Sequence, residues 1–556
     1  MTPSPFRPVA AVGLAAALLI YVGCSRTYET TEQAVDRPRA RPLSPPPAPP
    51  SERAAEPADK GKDKDKDKDK DKDKDKGGKD KDPLELFADW AKRPPAAVLV
   101  ISGEQDGYLQ PCGCTNGQLG GLGRRSDLIE KLRARGWPVA GIDLGNLVHD
   151  PAGSRGGPEQ EKVKFDTALK ALAVMKYGAV ALGPEDLKLG IGETLGLLLN
   201  LKGPQFLAAN LKPDEGFAGT VRPFLVLEAG PVAIGVTAVI DPKAFEALAD
   251  PDKALLTLQA PDEALPAALA GIGPKAAARV LMVQGPIEEG RRLAAKFPAF
   301  DLVVTTSKFD DPDARPEAVN GGKTQIINVG KKGKYAGVVG LFPGSDPVVR
   351  YKRQPLDGDH FTEAGSIRAL IDVEYQSVLK AVGVVENYRK TANAAYPAGS
   401  TYVGAESCQA CHPRTFEKWT STKHARAFES LVSNKKRVRE FDAECISCHT
   451  TGFRYNTGYT SAEKTPHLKG NQCENCHGPA SLHVAEPDNL AYRKPMAMNA
   501  EAANKSGFCI SCHNEDNDHN FTFDARYAQI FHKGLDTYDD PRVHQGRPAK
   551  VAAGPR

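Results

Sequence analysis

The chain has almost no excess of charge: 73 Lys and Arg stand against 70 Asp and Glu, a formal net charge of +3. That balance gives no case for nucleic acid as a partner. One long apolar run occurs, Val9 to Val22, and it is too short to span a bilayer comfortably. Beyond Tyr402 aliphatic residues become scarce, so an ordinary apolar core is not available there. Cysteine and histidine are few, 11 and 12 in 556 residues.

Against that scarcity, Cys-x-x-Cys-His occurs four times between residues 408 and 513. The copies are Cys408–Cys411–His412, Cys445–Cys448–His449, Cys473–Cys476–His477 and Cys509–Cys512–His513. Composition alone predicts about 0.005 copies per chain. This is the attachment sequence for c-type haem: the thiols add to the vinyl groups and the adjacent imidazole becomes the proximal iron ligand. Four copies predict four covalently bound c-type haems in a mainly α, haem-packed domain over 402–540. Zinc is the other reading of paired Cys-x-x-Cys, and the His that follows every pair argues against it.

The sixth iron ligand decides whether a haem only passes electrons or binds a substrate. Six further histidines are available: His424, His467, His483, His519, His532 and His544. Pro413 starts a helix well, and Phe416, Thr420, His424, Ala427, Phe428 and Leu431 fall on one face of it. There His424 is either a core residue or an iron ligand, and the nearby haems favour the ligand.

Residues 1–24 read as an export signal, with Arg7 in its basic region. The run ends Tyr21-Val-Gly-Cys24, which resembles a bacterial lipobox whose Cys is acylated. Tyr21 stands where that pattern has Leu, and the alternative is an ordinary signal with an incidental Cys. Either reading exports the chain, as a periplasmic protein or an outer-membrane-anchored lipoprotein that meets the membrane through its lipid. Residues 25–83 hold a Pro-rich patch, then eleven Lys and nine Asp between Lys60 and Asp82. Alternating charge buries nothing, so this is expected to be a disordered tether reaching roughly 40–45 Å.

From 96 to 345 the pattern is α/β. Buried strands are expected at 97–101, 139–142, 179–182, 206–209, 233–236, 280–283, 302–305, 326–329 and 337–340, with helices at 125–135 and 165–176. Apolar spacing of three and four predicts a helix over Thr362–Thr391, the connecting helix of 362–392, followed by a hinge at 392–400. Residues 541–556 are a tail.

Strand order, with phrases such as Met175-Lys-Tyr-Gly-Ala-Val-Ala-Leu-Gly183 and Asn328-Val-Gly-Lys-Lys-Gly-Lys334, resembles the metallophosphatase domain of periplasmic 5′-nucleotidases. The resemblance implies an α/β metallophosphatase-like fold with two metal ions on five strand-end motifs. Here those positions read Ser102–Asp106, Gly145-Asn146, Gly183-Pro184-Glu185-Asp186, Gln284-Gly285 and Thr306–Phe309, without the histidines the family uses. Phosphatase activity is therefore expected to be absent. After strand one stands a Gly- and Asn-rich loop with Cys112-Gly113-Cys114, resembling 5′-nucleotidase-like proteins that carry a selenocysteine in some members. That pair is redox-active, a structural disulfide or a soft-metal site.

Lys423–Leu431, Cys448–Phe453 and Gly470–Pro479 resemble the tetrahaem cytochrome c-554 family of ammonia oxidisers. The resemblance implies three haems with two histidine ligands each and a five-coordinate haem on the second motif. It assigns His424, His483 and His532 as distal ligands. The family has no histidine at His467, which would close the second haem if it reached it. The expected function is an exported electron carrier in a respiratory or redox chain, exchanging electrons with redox partner proteins. The alternative is a multihaem redox enzyme acting on a small nitrogen or sulfur compound at a five-coordinate haem.

Overall fold

The computed structural model describes residues 82–111, 117–434 and 437–536. Cys24 with the export signal, all but the last two residues of the tether, Cys112 and Cys114, His544 and the tail 541–556 lie outside the described residues.

Each of the nine predicted runs forms a strand. The strands are β1 (Ala97–Ser102), β2 (Val139–Asp143), β3 (Tyr177–Ala181), β4 (Gln205–Leu207), β5 (Leu211–Pro213), β6 (Val221–Arg222), β7 (Phe224–Ala229) and β8 (Val232–Ile240). Then come β9 (Leu256–Leu258), β10 (Ala278–Gln284), β11 (Leu302–Thr305), β12 (Glu317–Val319), β13 (Thr324–Asn328), β14 (Tyr335–Leu341) and β15 (Val349–Pro355). They build a seven-stranded sheet, β15-β14-β1-β2-β3-β4-β6, and a six-stranded sheet, β12-β13-β11-β10-β8-β7. Parallel strands form the middle of both sheets; the edges are antiparallel except β6, which pairs parallel with β4.

β1 shows how the layers arise. All six of its residues are buried, and successive side chains point to opposite faces. Val98 and Val100 pack with Leu128 and Leu132 of the Leu122–Ala134 helix. Leu99 and Ile101 pack with Val236, Met282 and Val304 of the second sheet. Helices Pro261–Ile272 and Ile287–Lys296 cover the outer face of that sheet through Leu265 and Leu293. The result is two sheets face to face between helical layers.

The connecting helix is shorter than expected. It runs Gly365–Ala369, a π turn Leu370–Tyr375, then Gln376–Val382. Gly383 ends it at φ +70°, where its own N–H and that of Val384 both reach the Leu379 carbonyl, at 3.0 and 3.1 Å. A left-handed residue of this kind stops a helix and favours glycine. Ile367, Ile371, Tyr375 and Leu379 are buried in one cluster that also holds Leu128 and Phe165 on one side and Phe428, Ile446, Phe453 and Tyr459 on the other. One apolar core therefore runs from the α/β layers into the C-terminal region. There the helices are short, and the last, Phe523–Ile530, buries nothing.

The helix expected through His424 is broken. It spans Pro413–Thr420, and a second begins at Ala427. Between them the hydroxyls of Thr420, Ser421 and Thr422 donate to the carbonyls of Phe416, Lys418 and Trp419, at 2.7 to 2.9 Å. Such local bonds compete with continued helix. His424 sits in the turn.

Candidate functional site

The Cys-x-x-Cys-His motifs occupy single helical turns. His412 and His513 each donate their backbone N–H to the carbonyl of the motif's first Cys, at 2.8 Å. That turn points positions one, four and five to the same side. Motif two lies in the Ala443–His449 helix, motif three in Cys473–His477 and motif four at the Cys509–Ser511 turn. None of the eight motif cysteines forms a disulfide. Cys408 is hydrogen-bonded to Cys473, and Cys448 to Cys512. Motif one thus meets motif three, and motif two meets motif four.

The imidazoles are oriented for a ligand. Nδ1 of His449 lies 2.6 Å from the Ala427 carbonyl, that of His477 2.8 Å from the Met496 carbonyl, and that of His513 2.9 Å from Asp518. Holding Nδ1 in this way fixes the tautomer that leaves Nε2 for a metal. His424 faces His513 with ring centres 6.0 Å apart, and His532 faces His477 at 5.8 Å. A metal bonded to an imidazole nitrogen on each side at about 2.0–2.1 Å, the length known for zinc, would fit between rings so spaced, so His424 with His513 and His532 with His477 could each hold one. His483 lies close enough to His412 for their charges to interact, and its Nδ1 is buried without a hydrogen-bond partner. Among the described residues no imidazole faces His449. His467 is exposed and does not line the cavity that holds His449. Its backbone carbonyl receives the Gln472 amide at 2.8 Å. His519 lies 3.3 Å from Gln118.

A cavity of about 1720 Å³ opens where the C-terminal region meets the α/β layers. Pockets for a single small ligand measure about 300–1,000 Å³, so this one has room for more than one. Cys445, Cys448 and His449 line it from motif two, Cys509, Cys512 and His513 from motif four, together with His424. Thiols, free Nε2 atoms, facing imidazoles and volume fit covalently attached haem.

The opposite wall comes from the α/β layers, through Tyr108, His149 and Arg155. Strand ends of parallel sheets are where such folds place ligands. Here the five metal-site positions bond mainly to one another. The Asn146 amide donates to Glu104 at 2.7 Å and to Gln284 at 3.3 Å. Asp186 accepts the N–H groups of Asn146 and Leu147, at 2.9 and 2.7 Å. Thr306 donates to the Gly285 carbonyl at 2.9 Å. Burial, with the neighbouring Asp106 charge, pushes Glu104 up to about 8. Burial also raises Asp106 to about 6 and Asp186 to about 7. Glu104, Asp106 and Asn146 hold left-handed backbone at φ 49°, 49° and 53°, a strain that clusters at ligand sites. Among the described residues no three His, Cys, Asp or Glu side chains form a metal cluster.

Sequence reasoning missed the grip of the α/β layers on motif two. Asp442 caps the motif's helix, accepting the N–H groups of Glu444 and Cys445. An Asp ahead of a helix is a readable start signal. Its partners Gln160 and Tyr375 carry no local signal.

Residues 407–478 match the family model described as cytochrome c554 and c-prime. The chain is 34% identical over 101 residues to cytochrome c-554 of Nitrosomonas europaea, an alignment covering 16% of this chain and 43% of that protein. The C-terminal region is thus cytochrome c554-like, which implies covalently bound c-type haem. The chain spans less than half the length of this curated relative. It is also similar to the Thermus thermophilus sulfate thiohydrolase SoxB, at 17% identity and TM-score 0.44, over 52% of this chain and 61% of that one. A 5′-nucleotidase precursor of Thermus thermophilus gives 16% identity and TM-score 0.44, over 53% and 60%. The calcineurin-like phosphoesterase YfkN of Bacillus subtilis gives 17% and 0.41, over 51% and 98%.

Proposed function

We propose that this chain is an exported electron carrier with four covalent haems, one on each Cys-x-x-Cys-His motif. When bound, the haems supply one-electron transfer. The observation that carries the reading is the set of imidazoles. His513 with His424 and His477 with His532 are paired across spaces that suit an iron, and His483 lies near His412. These residues hold and orient; none of the pairs leaves a position for substrate. The meeting of motif two with motif four, and of motif one with motif three, gives electrons short steps between neighbours. Redox partner proteins, an acylated Cys24 and a place in the periplasm or at the outer membrane belong to the same proposal.

The test is low-temperature EPR of the oxidised holoprotein, with haem counted by mass. Four haems, at least three of them low-spin, are expected. Fewer than four haems, or two or more high-spin signals, would refute the reading.

One observation favours the alternative of a redox enzyme acting on a small nitrogen or sulfur compound. Among the described residues His449 faces no second imidazole, and Arg155 stands at the same motif. Binding of nitrite or hydroxylamine to a high-spin haem, followed by turnover, would support it. We propose no phosphoesterase role. Hydrolysis of a nucleoside monophosphate with added Mn²⁺ would overturn that.

A further inference from the structure

The geometry points to the α/β layers as part of the second haem site: Gln160 and Lys164 position the motif-two helix, and Arg155 sets the reduction potential of the haem it carries. This rests on the reading that Cys445 and Cys448 hold a haem.

The helix of motif two is seven residues long, Ala443–His449, and it is held at its start, near its first turn and at its end. At the start, the fully buried Gln160 donates to the Asp442 carboxylate at 2.8 Å and accepts the Ala443 N–H at 2.9 Å. An amide alone among the side chains of this size gives and takes on one plane, so it fixes the register of the two residues it touches. The Tyr375 hydroxyl, from the connecting helix, lies 3.0 Å from Gln160 and 3.4 Å from Asp442. Lys164, one helical turn beyond Gln160, reaches Glu444 at 2.6 Å. At the far end, Arg155 lies 3.4 Å from Cys448 Sγ while its other nitrogen donates to the Ser511 carbonyl of motif four at 2.7 Å. Tyr388 in turn donates to the Arg155 carbonyl at 3.1 Å. A short helix held at both ends has little freedom to rotate.

Arg155 also brings charge. A guanidinium stays protonated across the accessible pH range. Beside the sulfur that ties the haem to the chain, it favours the state with one more electron, since reduction lowers the positive charge at the iron by one. That step forms and breaks no bond; the electron comes from a one-electron donor, dithionite in the test below.

The test uses the full holoprotein. Mass analysis of the peptide containing Cys445 to His449 comes first. A bare peptide overturns the four-haem reading and this inference with it. A haem-bearing peptide leaves Arg155 alone at stake. Potentials are then titrated for Arg155→Gln and Arg155→Lys. Arg155→Gln is expected to lower the reduction equilibrium of the motif-two haem about tenfold, about 59 mV for one electron, with a smaller fall at the motif-four haem, whose Ser511 carbonyl Arg155 also meets, the other two unmoved, and Arg155→Lys closer to wild type. No shift, or the same shift in all four, overturns the electrostatic role. Gln160→Leu is expected to change the EPR signal of that same haem, and an unchanged signal overturns the positioning role.

Discussion

Lys164→Met is the sharpest test of how the two regions are joined. Lys164 and Glu161 are both buried, at 5% and 0% exposure, with 3.1 Å between ammonium and carboxylate. Burial alone would lower the Lys164 ammonium, but Glu161 and then Glu444 overcome it and hold it above the usual lysine range. Removing the ammonium leaves Glu161 with the Ser154 hydroxyl at 2.6 Å and the His149 N–H at 3.2 Å, but with no cation. Breaking a buried pair costs about 3–5 kcal/mol. The two surviving hydrogen bonds put this case near the lower figure. Glu444 is 38% exposed and regains water, so it adds little. The assay is urea unfolding of the holoprotein at pH 7, followed by far-UV circular dichroism and by haem absorbance. Both signals should shift together, because one core serves both regions. Adding Glu161→Gln removes the stranded charge and should restore part of the loss. A loss within about 0.5 kcal/mol, the range of ordinary surface changes, or a double variant no better than the single one, would refute the reasoning. The sign in pH follows from the raised folded value: the contribution is complete at neutral pH and fades only as pH climbs past the lysine range.

Glu104 gives a slope of the same sign in a lower pH window. Its carboxyl keeps a proton in the folded chain up to about 8, whereas the unfolded group loses it near 4.5, so stability falls across that window at about 1.4 kcal/mol per unit of displacement. Glu104→Gln should therefore gain melting temperature over wild type at pH 8 and little at pH 5; an equal gap at both would exclude the protonated carboxyl. His424→Ala should convert one low-spin haem to high-spin by EPR, and an unchanged spectrum would remove His424 as a ligand. Asp518→Asn weakens the acceptor that holds His513 Nδ1, so the motif-four imidazole becomes a poorer donor. The potential of that haem should rise, measured by the same titration, and a fall or no change would contradict the assigned tautomer.

The strands were legible because β-branched and aliphatic runs such as Ala97–Ile101 are buried on both faces and need no partner to be recognised. β15 was not: Val349–Pro355 carries Arg350, Lys352 and Arg353 on a half-exposed edge, where an apolar run is not required. Periodicity overran both long helices in the same way. It registers apolar spacing and is blind to Gly383 and to the hydroxyls of Thr420, Ser421 and Thr422, whose bonds end those helices. Of the site, the thiols and their adjacent imidazoles follow from covalent chemistry and stand out in any fold. The acceptors Asp518, Met496 and Ala427 do not, since each is chosen by tertiary placement. The contact of Gln160 with Asp442 joins residues 282 positions apart, beyond any local pattern.

The hold of Gln160, Lys164 and Arg155 on the second motif also makes the two regions depend on each other. The thiols of Cys445 and Cys448 line a cleft whose far wall is made by the α/β layers. Phe428, Ile446, Phe453 and Tyr459 share one buried cluster with Leu128, Phe165 and Tyr375. Neither region therefore closes its own apolar core, and cutting the chain between them would expose these side chains to water on both sides.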